Sequence, residues 1–235
     1  MRKHELDQNF LKPYDAMRFV DRAHFSRDDV LLDIGAGEGA ITHALTLRGK
    51  MTYAIEKDHE TAEKLRARMI DLEQKNHAAA AHINEYMIRH RMGTLTARDW
   101  NYEIIEQDFL DFDLTSLPYY KVFANPPFSL SSEIIHKLIS SDNPPDAMYL
   151  ILQKQFALKL LNTDRHYTSQ LGEELISKYK TRIDCDISKN SFTPPPAVPI
   201  VLFVAEKIPQ TPEELARLSK PKKSKKKHKP NKPQA

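Results

Sequence analysis

Asn125, Pro126, Pro127 and Phe128 stand between an apolar run, YKVFAN (residues 120–125), and a helical pattern, SSEIIHKLIS (131–140). Two consecutive prolines neither continue a strand nor fit inside a helix, so the tetrapeptide is a stiff turn. It holds a side-chain amide and an aromatic ring in fixed positions, which suits a flat, polar ligand. A second stretch with chemical content is DIGAGEGA (33–40), where Gly35, Gly37 and Gly39 are one residue tighter than the G-x-G-x-x-G of dinucleotide sites. Such a turn brings backbone N–H groups to a ligand at a helix N-terminus. Asp33 and Glu38 would repel a pyrophosphate, which favours a zwitterionic or cationic ligand. Glu56, closing the next apolar run, is placed to accept both hydroxyls of a ribose. Asp108 either accepts from an adenine amino group or caps the turn that follows it.

These groups act together only if the fold gathers them. The patterning predicts strands at 30–34, 51–56, 102–109, 120–125 and 146–153. It predicts a helix starting near Gly39, and one over 58–75 with Asp58 as N-cap and Ala62, Leu65, Met69 and Leu72 on one face. Further helices are expected at 131–140, capped by Ser131 or Ser132, and at KQFALKLL after residue 153. Segments 178–187 and 198–206 close the sheet as a hairpin. Strands alternating with helices imply an α/β fold with a doubly wound, mostly parallel sheet. Ligands of such sheets bind outside the carboxyl ends of the strands, where Gly35, Gly37, Glu56, Asp108 and Asn125 all fall.

The 235 residues, 40% hydrophobic and 29% charged, suffice for one sizeable α/β domain. No apolar run approaches the ~20 residues that span a bilayer, and MRKHELDQNF has no signal-peptide core. The single cysteine, Cys185, excludes an internal disulfide and fits a reducing cytosol. The ten histidines show no metal-ligand spacing, so no metal is expected. A cytoplasmic monomer without membrane contact is the expectation. Of the 35 basic residues, Arg217 and eight lysines lie in 217–235 with no acid among them, which leaves 26 basic against 32 acidic residues before them, a net of −6. The expected organisation is a domain over 1–207, with 76–100 as an insertion, and a lysine-rich, disordered tail over 208–235.

The order D-x-G-x-G-x-G, Glu, D-F and N-P-P-F resembles a class I S-adenosylmethionine-dependent methyltransferase, a Rossmann-like fold with a seven-stranded, mostly parallel sheet. HELDQNFL at the start, ILQKQFALKLL and SFTPPPAVP narrow the resemblance to the rRNA adenine N6-methyltransferases. These comprise the KsgA-type dimethyltransferases of small-subunit rRNA and the Erm enzymes of macrolide resistance. The HELxQNFL opening is more similar to Erm. The resemblance covers about residues 4–207 apart from 76–100. It implies that Gln8, Asn9 and Phe10 lie over the methionine part of S-adenosylmethionine, with Gly35 and Gly37 beneath it. Glu56 corresponds to the ribose ligand, with Lys57 beside it, and Asp108 to the acid near the adenine amino group, with Phe109 a neighbouring adenine contact. Asn125, Pro126 and Phe128 correspond to the catalytic motif. There, acceptors on the Asn125 side chain and the Pro126 carbonyl bind the protons of a weakly nucleophilic exocyclic amine, and Phe128 stacks on a base taken out of its helix. Asn125 also borders the cofactor. The implied activity is N6-methylation of an adenine in 23S rRNA, with resistance to macrolides, lincosamides and streptogramin B. The alternatives are KsgA-type dimethylation of small-subunit rRNA, a DNA adenine methyltransferase, or a non-catalytic RNA-binding factor.

Three features depart from the family pattern. Pro126 stands where Leu or Ile is usual, giving the NPPF form used by DNA adenine methyltransferases. The stretch between Glu56 and Asp108 is about two dozen residues longer than usual. The usual helical C-terminal domain is not expected, since residues 197–235 alone follow Pro196 and most are polar. The lysine tail can act as a nonspecific RNA contact, because each phosphate it neutralises releases counterions. Deleting 219–235 is therefore expected to weaken rRNA binding and flatten its salt dependence, with S-adenosylmethionine affinity unchanged. Filter binding across a salt series checks this, and an unaltered slope would count against the tail.

Overall fold

The computed structural model describes residues 9–89, 100–161 and 168–218. In chain order the elements are β1 (Phe10–Leu11), α1 (Pro13–Arg22), β2 (Val30–Ile34), α2 (Ala40–Thr46), β3 (Met51–Glu56), α3 (His59–Arg89), β4 (Tyr102–Glu106), β5 (Tyr120–Ala124) and α4 (Ser131–Ser140). There follow β6 (Ala147–Gln153), α5 (Lys154–Leu158), α6 (Gln170–Lys178), β7 (Tyr179–Ile187), β8 (Phe192–Thr193), β9 (Ile200–Lys207) and α7 (Pro212–Leu218). Seven strands form one sheet in the order β4-β3-β2-β5-β6-β9-β7, and only β9 runs against its neighbours. The expected α/β, Rossmann-like class is the one observed.

The central strands β2, β6 and β9 are near-continuous apolar runs because both sheet faces are covered. Alternate residues serve opposite layers. Leu32, Val122, Leu150 and Phe203 pack with α4, while Leu31, Phe123, Tyr149 and Leu202 pack with α1 and α2. The chain winds from β2 through β3 to β4 on one side and from β5 to β6 on the other, so a crevice opens between β2 and β5. A separate two-stranded antiparallel pair joins β1 to β8, with Phe10 opposite Thr193 and Leu11 opposite Phe192. No helix among the described residues is long and apolar enough to cross a membrane.

Several boundaries differ from the sequence expectation. The predicted helix over 58–75 and the stretch after it are one helix of 31 residues, capped by the Asp58 carboxylate on the Thr61 N–H. Alanines 78–81 carry no helix-breaking cost and no Gly or Pro intervenes, so the helix continues past the core. Its fully buried side chains, Ala62, Leu65 and Met69, lie near its start. Residues 90–99 fall outside the described residues. The tail expectation is corrected at its beginning. Residues 208–218 are folded: Ile208 N–H bonds the Lys178 carbonyl and Lys207 pairs with Glu214 on α7. The lysine-rich 219–235 lie outside the described residues. Neither Ser131 nor Ser132 caps α4. A 3-10 turn over 128–130 leads into the helix, and Ser131 Oγ donates to the Pro127 carbonyl instead. The strand predicted over 102–109 stops at Glu106, because Asp108 caps a 3-10 turn through the Leu110 N–H. The helix after residue 153 has only five residues.

Asp33 in β2 is buried. It accepts from Thr42 Oγ1 at 2.7 Å, and its second oxygen has no partner among the described residues. Burial pushes its carboxyl up to about 7; the Thr42 bond opposes the shift and the nearby Glu56 charge adds to it. The folded chain thus holds a proton that the unfolded chain releases near pH 4. Stability falls as pH rises between those two values. Asp33→Asn removes that slope. Urea unfolding at pH 4.5 and 7.5 should show the parent losing about 3 kcal/mol and the variant much less. Equal slopes would mean that Asp33 is not the group responsible.

Candidate active site

Register gathers the site. Leu32 is level with Val122, and Ile34 with Ile55, so three residues that follow these pairs, Gly35, Glu56 and Asn125, come level along one edge of the sheet. Glu56 is also level with Glu106, two residues before Asp108. A cleft of about 830 Å³ opens along this edge. Of the residues expected at the site, it is lined by Asn9, Phe10, Gly35, Gly37, Glu56, Lys57, Asp108, Phe109, Asn125, Pro126 and Phe128. Gln8 lies outside the described residues.

Glu56 ties two walls together. One carboxylate oxygen accepts the Gly37 N–H and the other the Asp58 N–H, both at 2.9 Å. The β2–α2 turn is thereby drawn against the start of α3. Gly37 has φ +54°, and a Cβ there would sit 3.2 Å from the Phe10 ring, so glycine lets the N-terminal strand lie on the turn. Gly39, the N-cap of α2 at φ +81°, leaves room for Leu65, which a Cβ would approach to 2.3 Å. Of the two roles open to it in sequence, Asp108 takes the cap of the 3-10 turn with one oxygen, while its other oxygen pairs with Lys57. The Lys57 ammonium, then the Leu110 N–H, hold the Asp108 carboxyl below the usual range. Beside it, Lys137 lies over the Phe109 ring at 5.5 Å.

The catalytic-motif candidate sits on the opposite wall. Asn125 Nδ2–H donates to the Asn9 carbonyl at 2.9 Å. Asn125 Oδ1 is buried and has no hydrogen-bond partner among the described residues. Phe128, half-buried, follows at the start of the 3-10 turn, and a Cβ on Gly35 would meet the Pro127 ring at 3.5 Å across the crevice. An unpaired buried acceptor costs about 1–3 kcal/mol, a cost kept where a ligand's donor relieves it. The arrangement offers an acceptor for an amine, a ring for stacking, and a separate acid-lined wall for a ribose and a second purine amine. These residues fit S-adenosylmethionine alongside an adenine base.

Phe192 of the SFTPPP segment is buried in β8 and packs in the core. Lys154, at the start of α5, pairs with Asp186. Sequence reasoning missed the Asn9–Asn125 bond, which spans 116 residues with no local signal. It also missed His59, Glu63 and Glu106, whose ligand-type atoms lie within 4.8 Å of one another. Arg66 bonds both glutamates and already supplies the cation there.

Comparison with known proteins decides the family. The family model described as ribosomal RNA adenine dimethylase matches residues 1–81 and 76–219. The chain belongs to the ribosomal RNA adenine dimethylase family. It is 29% identical over 206 residues to a dimethyladenosine transferase of Saccharomyces cerevisiae, covering 83% of this chain and 54% of that protein. A probable ribosomal RNA small subunit methyltransferase A of Thermococcus onnurineus is 32% identical over 211 residues, covering 88% and 65%. The chain thus spans about half the length of the yeast relative. Two crystal structures share the fold: a Plasmodium falciparum dimethyladenosine transferase (TM-score 0.64, 23% identity, 86% of this chain and 64% of that one) and the 23S rRNA methyltransferase ErmE (0.62, 20%, 85% and 70%).

For a member of this dimethylase family, Glu56 is a revealing position to change. Glu56→Gln presents an NH₂ to one of the two N–H groups that the carboxylate now accepts. The glycine turn should loosen and S-adenosylmethionine affinity fall by about tenfold or more by titration calorimetry. Unchanged affinity would remove Glu56 from the cofactor site.

Proposed function

We propose that this chain carries S-adenosylmethionine-dependent N6-methylation of adenine in ribosomal RNA, of the KsgA type that dimethylates small-subunit rRNA. The observation that carries the reading is Asn125 Oδ1, a buried acceptor without a partner among the described residues, on the cleft wall beside Phe128. The lean toward dimethylation rests on the name of the yeast relative and the lean toward small-subunit rRNA on that of the Thermococcus relative; together they replace the Erm-type lean of the sequence reading. The Erm-type reading stays as the second one, supported by the HELDQNFL opening and the likeness to the ErmE fold.

When bound, S-adenosylmethionine supplies a methyl group on a sulfonium centre. The rest falls to the chain. Gly35, Gly37 and Glu56 shape one wall, and Asp108 and Phe109 border its far end. Asn125 Oδ1 accepts an amine proton and so favours a lone pair localised on nitrogen. Phe128 stacks the base, a contact worth roughly 1–3 kcal/mol. The oxygen has almost no accessible surface, and catalytic hydrogen bonds of this kind tighten only when the substrate is bound. The displacement needs alignment and exclusion of water, with no covalent enzyme intermediate. Pro126 and Pro127 limit the loop's freedom and keep the amide preorganised.

The test is transfer of labelled methyl groups to precursor small-subunit particles, free small-subunit rRNA, free 23S rRNA and DNA, with nucleoside mass spectrometry of the product. N6,N6-dimethyladenosine on the small-subunit particles is expected. Asn125→Ala should lower transfer by about a hundredfold or more with cofactor binding retained. Label on free 23S rRNA alone would favour the Erm-type reading, and label confined to DNA would overturn the RNA assignment.

A further inference from the structure

The N-terminal strand does more than cover the cleft. A carbonyl can only accept, so the bond from Asn125 Nδ2–H to the Asn9 carbonyl decides which way round the amide lies. The NH₂ faces Asn9, and Oδ1 is left as the unpartnered atom. The Asn9 carbonyl is itself held by the strand that follows it. β1 pairs with β8, and Lys12 N–H donates to the Ser191 carbonyl at 2.8 Å. Leu11 and Phe192 anchor the pair in the core, and the Phe10 ring rests on Gly37. This ladder of a few bonds is the structure that orients an amide 116 residues away.

We propose that the β1–β8 pair is a positioning clip that sets the orientation of the Asn125 amide and so makes the site select a base bearing an amine over one bearing a carbonyl at the same ring position. This rests on the reading of Asn125 as the amine's acceptor. An amide freed from Asn9 can turn over and present its NH₂, which suits a carbonyl. Adenine and hypoxanthine differ in this respect at one ring position, so adenosine and inosine are the natural probes. The expected size of the discrimination follows from leaving a buried polar group facing a group of its own kind.

Lys12→Pro tests the clip. Lys12 has φ −67° and ψ 142°, values that proline adopts, its side chain is exposed, and Pro13 follows. The change deletes one ladder N–H without touching the core. Lys12→Gln removes the charge, keeps the N–H, and serves as the control. In the ¹⁵N-labelled full chain, the Asn125 side-chain amide is identified by its loss in Asn125→Asp. Its protons should exchange slowly in the parent and Lys12→Gln, and about tenfold faster in Lys12→Pro. With S-adenosylhomocysteine saturating, adenosine should bind about tenfold more tightly than inosine in the first two, with the ratio falling toward one in Lys12→Pro. Unchanged amide exchange in Lys12→Pro overturns the clip, as does a loss of affinity that is equal for both nucleosides. A protected amide with equal nucleoside affinities in the parent overturns the selection, and the role of Asn125 with it. A nucleoside preference that depends on the clip, in a chain that transfers no methyl group, supports the clip and overturns the proposed function alone.

Discussion

Everything at the site hangs on the pairing of β2 with β5. These strands are parallel neighbours, yet the chain leaves them for opposite sides of the sheet, so no crossover connection fills the space above their carboxyl ends. Their register brings Gly35 level with Asn125. A slip of one residue would turn Leu32 and Val122 out of their layer and Leu31 and Phe123 out of theirs, so packing on both faces defends the alignment that the site needs. The two walls of the cleft therefore share one structural origin.

The site keeps polar groups under tension beside a well-packed core. Asp33, two residues before the glycine turn, has one carboxylate oxygen without a partner among the described residues and a carboxyl pushed up to about 7. Of the buried side-chain atoms without a partner among the described residues, Asn125 Oδ1 alone belongs to a residue that lines the cleft. The large majority of buried polar atoms in proteins are bonded, so this exception at the cleft calls for a reason other than stability. Glu56 shows the opposite economy. Both its oxygens are engaged by backbone N–H groups, and each oxygen has a further lone pair to offer a ligand.

The backbone and the side chain of Asn125 are restrained by different parts of the chain. The prolines at 126 and 127 restrict the backbone that carries Asn125, whereas the rotation of its amide is left to a partner from the opposite end of the chain. Backbone stiffness is encoded locally and cheaply by ring closure. The orientation of an amide needs a fixed acceptor, and here a strand anchored by Leu11 and Phe192 provides it.

Much of this was legible in the residues. The apolar runs marked five strands of the sheet, since a buried strand must be apolar on both faces, and glycines, acids and Asn125 stood at their ends because chain reversals and ligands share that location. The N-cap at Asp58 followed from short-range chemistry in the same way. The lengths of α3 and α5 and the fold of 208–218 did not, because each depends on what the segment meets. Alanines let α3 run on, and Lys178 and Lys207 hold the segment after β9 through a backbone bond and an ion pair. Composition suggested a polar, disordered stretch there, because it counts charges without their partners. Which residues carry the chemistry is thus a matter of type and order, written in the sequence. How they face one another is set by register and by contacts such as Asn9 with Asn125, between segments 116 residues apart, and only the folded chain brings those atoms within reach.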